Sequence, residues 1–285
     1  MPTILITGAN GQLGSELQFL SKLYPQYDFI FTDHQELSII DKDAIDAFFK
    51  AHAIYACINC AAYTAVDKAE SDIEKANELN GYAVGYLANA CKVHNAIFIH
   101  ISTDYVFDGN ATVPYQVDHP VSPINIYGSS KLLGEQEAVQ KNPKSIIIRT
   151  SWVYSAVGNN FVKTMLRLMN ERESLGVVYD QVGCPTYAAD LAAAIMQIVS
   201  SGKALDNAGM YHYSNQGVIS WFQFAIAIKE LTGSKCTVNP VPTTAYPTPA
   251  KRPAYSVMDT TKIQNTFNCT IPFWKDSLEK CLQLL

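Results

Sequence analysis

Residues 3–14 read TILITGANGQLG, and the fold is decided here. Thr3 to Thr7 form a short, almost continuous apolar run, the pattern of a strand covered on both faces. Gly8, Gly11 and Gly14 follow at three-residue spacing, and from Gln12 the sequence takes up a helical period. Gly8 permits a tight turn, Gly11 lets backbone approach a pyrophosphate, and Gly14 lets the helix pack closely on the strand. The pyrophosphate then lies over free N–H groups at the positive end of the helix. A glycine triplet alone also fits a plain turn. Its place between the first strand and the first helix selects the dinucleotide reading.

Working outward, near-continuous apolar runs at residues 29–32, 56–62, 96–102 and 145–150 read as further strands. Helical patterns at residues 12–23, 42–52, 69–93 and 127–140 lie between them. This βαβα rhythm predicts an α/β fold with a doubly wound, Rossmann-like parallel sheet. The second half is less regular, with helices expected at 160–172, 188–199 and 220–231. Its stretch NPVPTTAYPTPAKRP at 239–253 holds five of the 13 prolines and reads as a stiff surface connection. The expected division is an NAD(P)-binding domain over residues 1–154 and a smaller, irregular α/β substrate-binding domain over 155–285, with the chain crossing between them.

The composition narrows the function classes. The 285 residues are 48% apolar and 16% charged, which argues against disorder. With 21 basic and 26 acidic side chains the net charge is −5, and no basic cluster suggests a nucleic-acid partner. No apolar run approaches the ~20 residues of a membrane span. The opening residues carry no basic leader, and seven cysteines are too few and too scattered for a disulfide scaffold. Reduced thiols and a cytoplasmic location are therefore expected. Cys57 and Cys60 have Cys-x-x-Cys spacing without a second ligand pair, and the six histidines show no chelating spacing, so no metal site is expected.

YGSSK at 127–131 sets Tyr127 and Lys131 at i, i+4, on one face of a helix. Lowering a phenol pKa from ~10 by ~3 units takes ~4 kcal/mol. A cation ~4 Å away at an effective dielectric of ~20 supplies about that much. STDYVFDG at 102–109 places Thr103 and Asp104 at the carboxyl end of the fourth strand, where open α/β sheets bind ligands. A Thr103 hydroxyl there can hydrogen-bond a reacting oxygen. Asp33, closing the second strand, reads either as a ribose-binding carboxylate or as an ordinary strand-end residue. As a ribose ligand it disfavours the 2′-phosphate of NADPH. Adjacent His34 and the lack of a nearby Arg leave NADH and NADPH both open.

With GANGQLG, AAYTAVDKAE, STDYVFDG, YGSSKLLGE, RTSWVY, GNNFVKTMLRL, DQVGCPT and VPTTAYPTPAKRP in view, the chain resembles the extended short-chain dehydrogenase/reductase family over nearly its whole length. Within that family it is most similar to the reductases of keto-sugar nucleotides. The resemblance implies NAD(P)H-dependent reduction of the C4 keto group of dTDP-4-dehydro-L-rhamnose. It implies Tyr127 as proton donor, Lys131 orienting cofactor and phenol, and Thr103 and Asp104 matching their pKa values. Gly8, Gly11, Gln12, Leu13 and Gly14 would meet the pyrophosphate, Asp33, Ser38 and Ile39 the adenosine, and Ala62, Tyr63 and Thr64 the cofactor beyond the third strand. Tyr105 and Trp152 would line the sugar-nucleotide pocket. Without the resemblance, Trp152 reads as a core residue and Arg252 as a surface one; with it, Arg252 pairs a diphosphate.

The same resemblance embraces epimerases, dehydratases and a non-catalytic NAD(P)-binding regulatory subunit. Dehydratases carry an Asp-Glu pair after the Thr, whereas here Thr103 precedes Asp104 and Tyr105. The intact Thr103, Tyr127 and Lys131 argue against a pure binder. Some of these reductases share Mg²⁺ across a dimer through three acids. The matching positions are Glu16, Asp190 and Leu284, and the last has no side-chain oxygen. A monomer or a metal-independent homodimer is expected, with Glu16 an ordinary exposed acid.

Overall fold

The computed structural model describes residues 1–285. The first half alternates strand and helix: β1 (Thr3–Thr7), α1 (Gln12–Ser21), β2 (Asp28–Thr32), α2 (Lys42–Ala51) and β3 (Ile54–Asn59). After two short helices, α3 (Val66–Ala69) and α4 (Ile73–Asn77), come α5 (Ala83–Val93), β4 (Ile97–Thr103), α6 (Ile126–Lys141) and β5 (Ile146–Thr150). The strands are parallel, and β1, β3, β4 and β5 are buried on both faces, whereas the edge strand β2 is only partly covered. Ile4, Ile6, Ile58, Ile99 and Ile148 pack on one side, while Leu5, Cys57, Phe98 and Ile147 pack on the other. Successive side chains of a strand point to opposite faces, so two apolar covers require the continuous runs seen in the sequence. Each fully buried Ile contributes about 1.5–3 kcal/mol.

The helix expected over residues 69–93 is broken. A π-helical turn, Glu78–Tyr82, separates α4 from α5. Asn80 in that turn is fully buried and reaches two other elements by hydrogen bonds. Tertiary partners for one buried amide outweigh regular helical pairing there, as at many π-turns.

The second half contributes β6 (Val153–Tyr154), α7 (Phe161–Glu171), β7 (Ser174–Val178), β8 (Val182–Gly183), β9 (Thr186–Tyr187) and α8 (Ala188–Ser200). It continues through β10 (Gly209–Tyr213), β11 (Ile219–Ser220), α9 (Trp221–Thr232), β12 (Thr237–Val241), α10 (Thr261–Phe267) and α11 (Trp274–Leu282). β10 joins the central sheet as its sixth strand, giving the order β10-β5-β4-β3-β1-β2. α8 packs its Leu191, Ile195 and Ile198 into the same core as α1. Neither element shows its destination in the sequence, since a five-residue strand carries no mark of its partner. The start of the proline-rich stretch is not a free connection: β12 pairs in parallel with β7. Phe161, Met165, Leu168 and Met169 of α7 pack with α9 and α11 in a separate core, as their helical spacing predicts.

Candidate active site

The chain leaves β1 to build β2 on one side and β3 on the other, so the topological switch point lies between β1 and β3. Ligands of such sheets sit outside the carboxyl ends of the strands at that crevice. Gly8 stands there with φ +65°, and a Cβ on it would lie 2.6 Å from the Ala61 backbone. A Cβ on Gly14 would overlap the Gly8 carbonyl, so glycine is required for the helix to approach the turn. Gly11 caps α1 in extended conformation with no side-chain cap, which leaves first-turn N–H groups available to an anion. This cradle fits a pyrophosphate. The Gln12 side chain faces elsewhere, accepting from Asn160 Nδ2 at 2.9 Å, and Leu13 is buried. Gln12 and Leu13 therefore offer a ligand their backbone.

Asp33 follows β2, and the His34 N–H donates to its carboxylate at 2.7 Å. That hydrogen bond is the main reason its pKa lies below the usual value, so the group stays anionic. Ser38 is half-buried, while the Ile39 side chain belongs to the core. Ala62, Tyr63 and Thr64 follow β3. Asn80 holds Tyr63 by both backbone groups, at 2.8 and 3.0 Å, and the Tyr63 hydroxyl donates to Asp72. Thr64 is exposed.

Thr103 ends β4, and its hydroxyl donates to Asp104 Oδ1 at 2.9 Å. Asp104 is 2% exposed and its Oδ2 has no partner. Burial pushes its pKa up to about 7, and hydrogen bonds offset only part of that. Tyr127, in the first turn of α6, meets Tyr105 edge-on with ring centroids 5.5 Å apart. Desolvation pushes the Tyr127 phenol up to about 12, with the Thr103 hydroxyl offsetting part of the rise and the Asp104 charge adding to it. Both groups thus hold protons more tightly than in water. The arrangement suits a proton donor beside a reacting oxygen.

Lys131 departs from expectation. It is buried, and its ammonium donates to the Ile101 carbonyl at 2.7 Å instead of turning to Tyr127. Burial lowers its pKa to about 8, against the opposing influence of Glu135 and Cys60. The i, i+4 spacing does put both residues on one face. An ammonium stripped of water, however, takes the buried carbonyl within its reach, and the phenol stays raised by its own burial.

Residues 2–285 match the family described as RmlD substrate binding domain. The chain is 43% identical to a dTDP-4-dehydrorhamnose reductase of Aggregatibacter actinomycetemcomitans, covering 98% of both chains. The chain belongs to the dTDP-4-dehydrorhamnose reductase family. A crystal structure from Clostridium acetobutylicum named for this reductase superposes with TM-score 0.95 at 42% identity, covering 99% of both chains. Another, from Bacillus anthracis and in complex with NADP, does so with TM-score 0.94 at 40% identity, covering 100% of both.

Two residues expected to meet the substrate are placed in unexpected ways. Trp152 has φ +49° and stacks on Trp221 with ring centroids 3.5 Å apart, so it is neither a lone wall nor an enclosed core residue. Arg252, expected to await a diphosphate, donates to Asp67 Oδ2 at 2.9 Å. Asp67 Oδ1 also accepts from the Ala250 N–H at 3.1 Å, while Arg252 Nη1 is buried without a partner. Asn125, the cap of α6, donates to the Lys251 carbonyl at 2.8 Å. The proline-rich loop is thus tied to the first half at two points, one of them two residues before Tyr127.

Asn80, Asp67, Glu70 and Trp221 escaped the sequence reading. Glu70 accepts from the Ile126 N–H at 2.9 Å, at the start of α6. Asp67 and Glu70 both lie in AAYTAVDKAE, the signal that could have found them. Nothing local marks Asn80. Glu16 is corrected too: it is 6% exposed, and the Ser155 hydroxyl donates to it at 2.5 Å. Asp190 accepts from Asn215 and Ser277, and Leu284 is 67% exposed. No helix is long and apolar enough to cross a membrane.

Proposed function

We propose that the chain reduces the C4 keto group of dTDP-4-dehydro-L-rhamnose with NAD(P)H, giving dTDP-L-rhamnose for cell-surface polysaccharide synthesis. The observation that carries the reading is the Tyr127 phenol, held protonated through neutral pH beside Thr103 at the carboxyl end of β4. It stands in a chain that full-length reductases match throughout. Gly8, Gly11 and Gly14 with the N–H groups of Gln12 and Leu13 cradle the pyrophosphate, and the Asp33 carboxylate takes the adenosine ribose. A reduced nicotinamide held by this cradle and by Lys131 would supply the hydride that the carbonyl carbon takes. Tyr127 gives its proton to the carbonyl oxygen, and the Thr103 hydroxyl, turned from Asp104 Oδ1, can donate to that same oxygen. Asp104, protonated up to about pH 7, keeps a second proton close to Thr103. Lys131 offers the N–H groups not spent on Ile101 to the cofactor. Trp152 and Tyr105 wall the sugar, and Arg252 grips the diphosphate.

A dehydratase needs a second acid after Asp104, and Tyr105 occupies that place. Seven unpaired thiols support a reducing, cytoplasmic setting. Glu16 and Asp190 are satisfied inside the protomer, which supports a monomer or a metal-independent homodimer. Residues 1–154 and 155–285 divide cofactor from substrate binding, with α8 and β10 returned to the cofactor side. Oxidation of NADH and NADPH by the purified chain, assayed with dTDP- and UDP-linked 4-keto sugars, tests the reading. Turnover with dTDP-4-dehydro-L-rhamnose is expected; a tightly held cofactor that is regenerated without net oxidation would make it an epimerase.

A further inference from the structure

Behind the site runs a row of buried polar side chains that the mechanism uses only at its last member. Thr7 on β1, Asn59 on β3 and His100 on β4 are direct register neighbours across three adjacent strands. With Lys131 they are all 2% exposed or less. Asn59 Oδ1 accepts from the Thr7 hydroxyl at 2.7 Å and from the Ala61 N–H at 3.2 Å. The backbone donor fixes the amide, so its NH₂ faces His100, with Nδ2 3.1 Å from His100 Nδ1. An NH₂ only donates, hence Nδ1 is an acceptor and the imidazole proton sits on Nε2. Nε2 lies 3.5 Å from Lys131 Nζ, which also donates to the Ile101 carbonyl at 2.7 Å.

We propose that His100 is a positioning residue for Lys131: its Nε2–H, locked by Asn59 and Thr7, faces the Lys131 nitrogen and aims the remaining N–H groups at the cofactor side. A buried donor opposite an ammonium is unfavourable, whereas opposite a neutral amine it is accepted by the lone pair. The row therefore also eases loss of the Lys131 proton. Other groups face that nitrogen. Glu135, one turn further along α6 and paired with Arg149, favours the charged form, as does Cys60 at the end of β3. Tyr127 lies one turn earlier. Burial keeps Lys131 below the ordinary lysine range, and the proposed Nε2–H contact from His100 acts in the same direction. The inference rests on the reductase reading only in giving Lys131 to the cofactor.

The test begins without cofactor or substrate. In ¹⁵N-histidine-labelled protein, with His100 assigned by its loss in His100→Gln, Nδ1 should be unprotonated and Nε2 protonated throughout about pH 6 to pH 9. Protonated Nδ1, or an imidazolium forming in that range, overturns the proposal. In ¹³C-lysine-labelled protein, His100→Leu should move the Lys131 midpoint up toward the ordinary lysine range. His100→Gln, whose amide can accept from Asn59 and donate to Lys131, should hold it; an unmoved midpoint in the Leu variant also overturns the proposal. NADH binding by fluorescence should weaken about tenfold in His100→Leu, the worth of one hydrogen bond, and recover in His100→Gln. A chain showing the tautomer and the Lys131 shift but no NADH oxidation with the keto sugar would keep this row and refute the function. Turnover with the opposite tautomer would do the reverse.

Discussion

Replacing Asp104 by Asn should stabilise the protein while impairing its chemistry, and the gain should depend on pH. The carboxyl is 2% exposed, one oxygen accepts from Thr103 at 2.9 Å, and the other has no partner. Burial raises the folded pKa from 3.8 to about 7. At 1.36 kcal/mol per unit, that gap of about 3 units amounts to ~4 kcal/mol as a ceiling. The folded-state pKa is the raised one, so between these values the folded chain keeps a proton that the unfolded chain has lost. Its contribution to stability is fully present below about pH 4 and is lost as pH rises through about 7. An amide in its place does not ionise, can still accept from Thr103, and leaves a neutral group where a charge would stand unpaired. Urea unfolding of Asp104→Asn and the unsubstituted protein at about pH 5 and about pH 8 measures the difference. The variant should be more stable at the higher pH, with its advantage growing by up to ~3 kcal/mol between the two. An equal gap at both pH values would show that Asp104 ionises normally in the folded state, and the account of its second proton would fall.

Three further outcomes are expected. Tyr127→Phe should lower turnover by ~10²–10⁴ with an unchanged thermal melt; near-normal turnover removes the phenol from the mechanism. Glu135→Gln breaks a buried pair in which Glu135 meets Arg149 at 2.7 and 2.8 Å and Ser102 at 2.6 Å. It should cost ~3–5 kcal/mol in urea unfolding, because the guanidinium is left buried without its charge partner. Asp33→Ser should shift the ratio of kcat/KM values toward NADPH, and an unchanged ratio would show that Asp33 does not meet the ribose.

Local spacing and chain direction carried much of this protein. Gly8, Gly11 and Gly14 specify a strand-turn-helix because the φ of +65° at Gly8 and the close backbone approaches at Gly8 and Gly14 leave no room for a side chain there. The apolar runs specify a parallel sheet because both faces are covered. Parallel strands place their carboxyl ends on one edge, so Thr103 and the residues after β3 had to share it with the glycine turn. Tertiary structure decided what depends on desolvation and on partners distant in sequence. Lys131 turns to Ile101, and Arg252 is held by an acid 185 residues away. β10 completes the sheet from the second half, and Asn80 bends a helix to reach Tyr63 and Ser130. Spacing in sequence sets which groups can meet. Which of them do meet is settled by where water is excluded, since a buried donor or charge must find its partner wherever the fold brings one.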